Sequence, residues 1–131
     1  MITMAQPGRI LPTLPVQLSG PDLEAVGEAF VKLARLDLAR NKVPDLYATR
    51  VRYTRETGGR ERWQLPSETL RRGLGDCEDL AVWRVAELRS RGEAAKLLLR
   101  QSGPKMWHAL VRRADGTTED PSKKLGMRGA A

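Results

Sequence analysis

The sequence holds one cysteine, one histidine and one phenylalanine in 131 residues. A single cysteine cannot close an intramolecular disulfide. One cysteine with one histidine cannot supply the ligands of an ordinary Cys/His zinc site. No metal and no cofactor is expected. Aromatic residues make up only 5% of the chain, and no basic stretch alternates with them, so sequence-specific nucleic-acid recognition is not expected either. No apolar run approaches the ~20 residues that cross a bilayer. Residues 1–20 are broken by Pro7, Pro12 and Pro15 and lack the continuous apolar segment of a signal peptide. These absences point to a cytoplasmic protein, or one packaged without secretion, with no membrane partner.

What is present suits one folded domain. Hydrophobic residues are 40% and charged residues 30% of the chain, enough to bury a core without covalent staples. The net charge of +7, from 23 Lys and Arg against 16 Asp and Glu, favours acidic partners only in a general way.

Residues 1–20 read as an extended arm that prolines keep out of helix, with Leu14, Val16 and Leu18 available to a partner surface or to the domain's own edge. A helix is expected over 21–40: Pro21 suits its first turn and Asp22 and Glu24 its positive end. Leu23, Val26, Ala29, Phe30, Leu33 and Leu36 or Asp37 form its apolar stripe. Leu46–Tyr53 reads as a short extended segment and Thr54–Arg62 as a polar loop. Pro66 opens a short helix that Gly73 stops, and Cys77–Arg91 is a second long helix closed by Gly92. Two strands follow, Ala95–Gln101 and Lys105–Arg113, then a turn at Asp115-Gly116 and a short return to Asp120. Helices first and an antiparallel sheet after them make the class α+β. Residues 122–131 read as a flexible polar tail.

The chemistry gathers around Cys77. Asp76 is placed to cap the second long helix, with Asp79 three residues on as its capping-box partner. Cys77 then falls at the first helical position, where unpaired N–H groups and the helix dipole favour a thiolate or an oxyanion. Glu78 and Asp79 act against a thiolate. The helix is apolar on nearly every side, so it belongs in the middle of the domain. His108 lies on the strand 105–113. A three-residue Ala114-Asp115-Gly116 loop with Gly116 left-handed pairs Arg113 with Thr117 and sets Asp120 opposite Leu110. Asp120 then shares the face of His108 as a diagonal neighbour, whereas a two-residue turn would send it to the other face. In that register the three residues have the makings of a nucleophile, a base and an orienting acid.

Trp63-Gln64-Leu65-Pro66-Ser67-Glu68-Thr69-Leu70, followed by Gly73-Leu74-Gly75-Asp76-Cys77-Glu78-Asp79-Leu80-Ala81, resembles the transglutaminase-like superfamily of papain-like fold. Trp107-His108-Ala109 is similar to its histidine strand, and Asp120-Pro121 to its Asp-Pro after the hairpin. The likeness runs from Trp63 to Pro121. It implies a transglutaminase-like domain over 21–121, with a buried cysteine-bearing helix packed on a small antiparallel sheet and a Cys77-His108-Asp120 triad. It also implies that Gln64 or Trp63 lines the oxyanion site. The strand lacks the second aromatic common after the family's histidine, and the return strand is short and polar. By resemblance the activity is that of a cysteine protease, amidase or acyltransferase on protein or peptide amides. The small phage and prophage members add a second expectation: a virion structural or assembly protein with an inactive triad, bound through its N-terminal arm to other phage particle proteins. The corresponding locations are the host cytoplasm and the virion.

Overall fold

The computed structural model describes residues 2–6, 9–12, 20–55, 63–103 and 106–128. In chain order these form β1 (Ile2–Gln6), β2 (Arg9–Pro12), α1 (Gly20–Arg40), a 3-10 turn (Leu46–Ala48), β3 (Arg52–Tyr53), β4 (Trp63–Gln64), α2 (Pro66–Arg72), β5 (Leu74–Gly75), α3 (Cys77–Ser90), β6 (Lys96–Gly103), β7 (Met106–Arg112), β8 (Thr118–Glu119) and α4 (Pro121–Lys124). The class is mixed α+β, with three small sheets ordered β1-β2-β4, β3-β5 and β6-β7-β8.

Helix α3 is the axis of the molecule. Every residue from Asp79 to Leu88 is buried. On one side Val82, Val85 and Ala86 pack with Phe30, Val31 and Ala34 of α1 and with Ala109 and Val111 of β7. On the other, Leu80 and Trp83 pack with Leu46, Val51 and Leu125. A helix enclosed all round needs apolar residues on all its faces, and its charged members need partners.

The apolar stripe of α1 includes Phe30, Val31 and Ala34, but Leu36 is 62% exposed and Asp37 is buried. The buried carboxylate has a structural task. The N-cap position of α2 is Leu65, whose side chain cannot cap. Asp37 supplies the missing acceptor from another helix, taking hydrogen bonds from the Ser67 backbone N–H and hydroxyl, both at 2.7 Å. Gly73 closes α2 in the left-handed conformation at φ 75°.

Two terminal segments differ from the sequence reading. The arm is not a single extended strand: β1 and β2 pair antiparallel as a hairpin, and β2 continues the ladder onto β4, with Arg9 opposite Gln64 and Ile10 opposite Trp63. Leu14, Val16 and Leu18 lie outside the described residues. The tail is ordered at its start. Pro121–Lys124 is helical, Pro121 and Ser122 are buried, and Leu125 packs into the second core. Tyr53 N–H donates to the Leu125 carbonyl at 2.9 Å, tying this segment to β3. One apolar side chain directly after a charged pair is too little for hydropathy patterning to mark.

Candidate active site

Cys77 begins α3 on a closed capping box. The Asp79 N–H donates to Asp76 Oδ1 and the Asp76 N–H to Asp79 Oδ2, each at 3.1 Å. The approach to this turn is held by parallel pairing of β5 with β3, which sets Tyr53 beside Gly75. A Cβ on Gly75 would stand 2.9 Å from Thr69 Cγ2 and 3.2 Å from both Asp79 Cβ and Leu80 Cδ2. The glycine of Gly75-Asp76-Cys77 is therefore demanded by the close approach of α2 to α3.

The partner of the sulfur follows from ladder parity. Arg113 N–H bonds Thr117 at 2.8 Å, and Val111 stands opposite Glu119. Alternate residues of β7 therefore turn their N–H groups toward β8, Ala109 among them. β8 ends at Glu119, so no strand carbonyl waits for Ala109. Its backbone hydrogen-bonds Cys77 instead. The sulfur thus rests against the strand at the residue that follows His108.

His108 and Asp120 are directly bonded, Nε2 to Oδ2 at 2.9 Å, with side chains 20% and 16% exposed. The three-residue loop is present: Arg113 bonds Thr117, and Gly116 adopts φ 88°. That register places Asp120 on the His108 face. The other carboxylate oxygen, Oδ1, accepts the Lys123 N–H at 3.2 Å and so caps α4. One side chain orients the imidazole and starts a helix.

The neighbouring Glu119 points the opposite way, into α3. It accepts from Arg84 Nε at 2.7 Å, from the Tyr47 hydroxyl at 2.5 Å and from Arg113 at 3.0 Å. Burial pushes its carboxyl up, but the Arg84 and Tyr47 hydrogen bonds outweigh that and hold it below the ordinary 4.5.

Electrostatics at Cys77 run against the helix-start expectation of a thiolate. Burial, then the charge of Glu78, pushes the thiol well above its usual range, and the Ala109 hydrogen bond only partly offsets them. The resting group is a neutral thiol. Burial, then any negative charge formed on Cys77 or carried by Asp76, raises the Tyr53 hydroxyl, which places that phenol beside the site. Nothing in the local sequence marks Tyr53. Only the non-local pairing of β3 with β5 brings it there.

Gln64 and Trp63 are both buried in β4. Gln64 is buried; its Nε2 donates to Thr69 Oγ1, the Leu74 carbonyl and Asp79 Oδ2, each at 3.2 Å, and its backbone N–H donates to Asp79 Oδ1 at 2.7 Å. Trp63 stacks at 4.8 Å on Phe30 in the first core. Gln64 braces the turn that carries Cys77, its Nε2 shared among three acceptors. A surface cavity of about 400 Å³ lies elsewhere, along Pro44, Thr49, Arg50, Val51, Leu70 and Gly73. Among the described residues no group of His, Cys, Asp and Glu is arranged to hold a metal, and no helix is long and apolar enough to cross a membrane.

No family model, curated protein sequence or solved structure matches this chain.

Proposed function

We propose that the chain is a cysteine-dependent hydrolase or acyltransferase of the transglutaminase-like, papain-like type, acting on protein or peptide amides. The observation that carries this is the 2.9 Å bond from His108 Nε2 to Asp120 Oδ2, made beside the strand residue that bonds the Cys77 sulfur. An ionised Asp120 is an acceptor, so Nε2 carries the proton and Nδ1 keeps its lone pair.

Because the resting thiol is neutral, proton transfer accompanies attack. Nδ1 takes the thiol proton as the sulfur bonds the carbonyl carbon and the carbonyl π pair moves to oxygen. The first N–H groups of a helix have no intrahelical acceptor, and that of Cys77 stands beside its own sulfur to receive the oxyanion. Collapse breaks the C–N bond, and the imidazolium returns its proton to the departing amine. Water then cleaves the thioester in a hydrolase, or an amine does so in an acyltransferase. Either acceptor loses its proton to Nδ1 as the C–S bond breaks, and the imidazolium passes that proton to the departing sulfur, restoring the neutral thiol.

The test is acylation by p-nitrophenyl acetate. The expected result is a single-equivalent burst of nitrophenol that is absent in Cys77→Ala and slowed about a hundredfold in His108→Ala. A wild-type chain with no burst above the Cys77→Ala background overturns the enzyme reading.

A second reading is favoured by one observation, the burial that keeps the thiol protonated: the same fold serves as a structural or assembly protein, such as a phage virion component, with the triad silent. Copurification as a stoichiometric member of a particle that still assembles with Cys77→Ala, together with no burst, supports it.

A further inference from the structure

We propose that the buried Arg84–Glu119 pair is the positioning device that holds Asp120 on the His108 side of the sheet. The proposal deepens the reading above and depends on it only for its catalytic meaning.

β8 is two residues long and pairs with β7 at two positions, Val111 with Glu119 and Arg112 with Thr118. Side chains alternate along a strand, so a one-residue slip exchanges the faces of Glu119 and Asp120. Asp120 would then turn toward α3, and His108 would lose its acceptor. So short a ladder needs something besides the hairpin loop to hold its register.

Arg84 supplies it. Arg84 lies two turns along α3 from Cys77, on the same face of the helix. Its guanidinium bonds Glu119 through Nε at 2.7 Å and Glu87 through Nη1 at 2.8 Å, and it stacks 4.7 Å above the Tyr47 ring. The Tyr47 hydroxyl closes the set by donating to Glu119 at 2.5 Å. The arginine and both carboxylates are buried. Apolar residues of similar volume would fill this space with equal or greater stability, because taking the ions out of water costs about what their attraction returns. What the charged pair adds is selectivity for one register. It ties the helix that bears the thiol to the strand that leads into the acid.

The chain has one histidine, so its imidazole nitrogens can be read by ¹⁵N NMR without assignment. In the wild-type chain the Nε2–H tautomer should predominate. Glu119→Gln and the milder Tyr47→Phe, in chains shown folded by circular dichroism, should lower the ratio of Nε2–H to Nδ1–H about tenfold, the weight of a lost charge-assisted hydrogen bond. Asp120→Asn should give the same spectrum, and adding Glu119→Gln to it should change nothing further. If Glu119→Gln does not fold, Tyr47→Phe decides. Folded variants that keep the wild-type ratio overturn the proposal, even if their thermal stability falls. A tautomer shift in a chain that shows no acylation burst sinks the enzyme reading and leaves this one standing. A burst with an unmoved tautomer does the reverse.

Discussion

At the residue scale, Gly75 shows how packing writes a motif. Its added methyl would press on Thr69, Asp79 and Leu80 at once, all on helices that cannot easily retreat. Gly75→Ala should cost about 1–3 kcal/mol of overpacking, seen as a lower urea midpoint at unchanged slope. The cap at Asp76 and the helix-start position of Cys77 are legible in sequence because capping is decided within four residues. The protonation state of Cys77 is not. It depends on burial against β7 and on Glu78 outweighing a backbone donor, and only the first turn of the helix is local. Gln64 and Trp63, which the resemblance assigns to the oxyanion, are both buried in β4.

Elements were readable where their stop signals are local. Gly73 and Gly92 end helices at positive φ, and the loop 114–116 sets the hairpin register through Gly116. A Cβ at Gly116 meets nothing within 4 Å, so the cost of Gly116→Ala is conformational alone, about 1–2 kcal/mol for a left-handed L-residue. Urea unfolding should show that loss. The His108 tautomer should stay as in wild type, because the loop keeps its length. Asp37 was ambiguous on the α1 stripe because its reason for burial is another helix, α2, whose own cap position is a leucine. The hairpin of β1 and β2 was hidden by the prolines of the arm; Pro12 is tolerated as the last residue of β2, beyond the two positions, Arg9 and Ile10, at which β2 pairs with β4.

For the whole molecule, α3 divides the interior into two cores, and the Arg84, Glu87 and Glu119 charges sit within that enclosed helix's surroundings. This has a consequence for acid stability. Glu119 is held below its ordinary 4.5 in the folded state. Its contribution is therefore present above the unfolded value and is lost as pH falls through the folded one. Glu28, lowered by its hydrogen bond to Arg89, acts in the same sense. Asp79 and Glu87, raised by burial, act in the opposite sense. The stability gap between wild type and Glu119→Gln should be wide near pH 7 and shrink at about pH 3, as measured by urea unfolding at both values. A gap unchanged between the two would show that Glu119 is not ionised in the fold. The α+β class was legible from the order of helical and alternating patterns. The enclosure of α3 was legible from its all-round apolar composition. Which distant elements meet, β3 with β5 and the terminal hairpin with β4, was not, because short two-residue strands carry no pattern of their own.

The carboxylate of Asp120 serves two masters, and they differ in what they tolerate. Asparagine and serine start helices about as well as aspartate, but neither carries the charge that orients an imidazole. A single nucleotide change from an aspartate to an asparagine codon would therefore leave α4 capped and the fold intact while depriving His108 of its acid. On the proposed function, descendants of such a chain can drift between a working enzyme and a pure building block without passing through an unfolded ancestor.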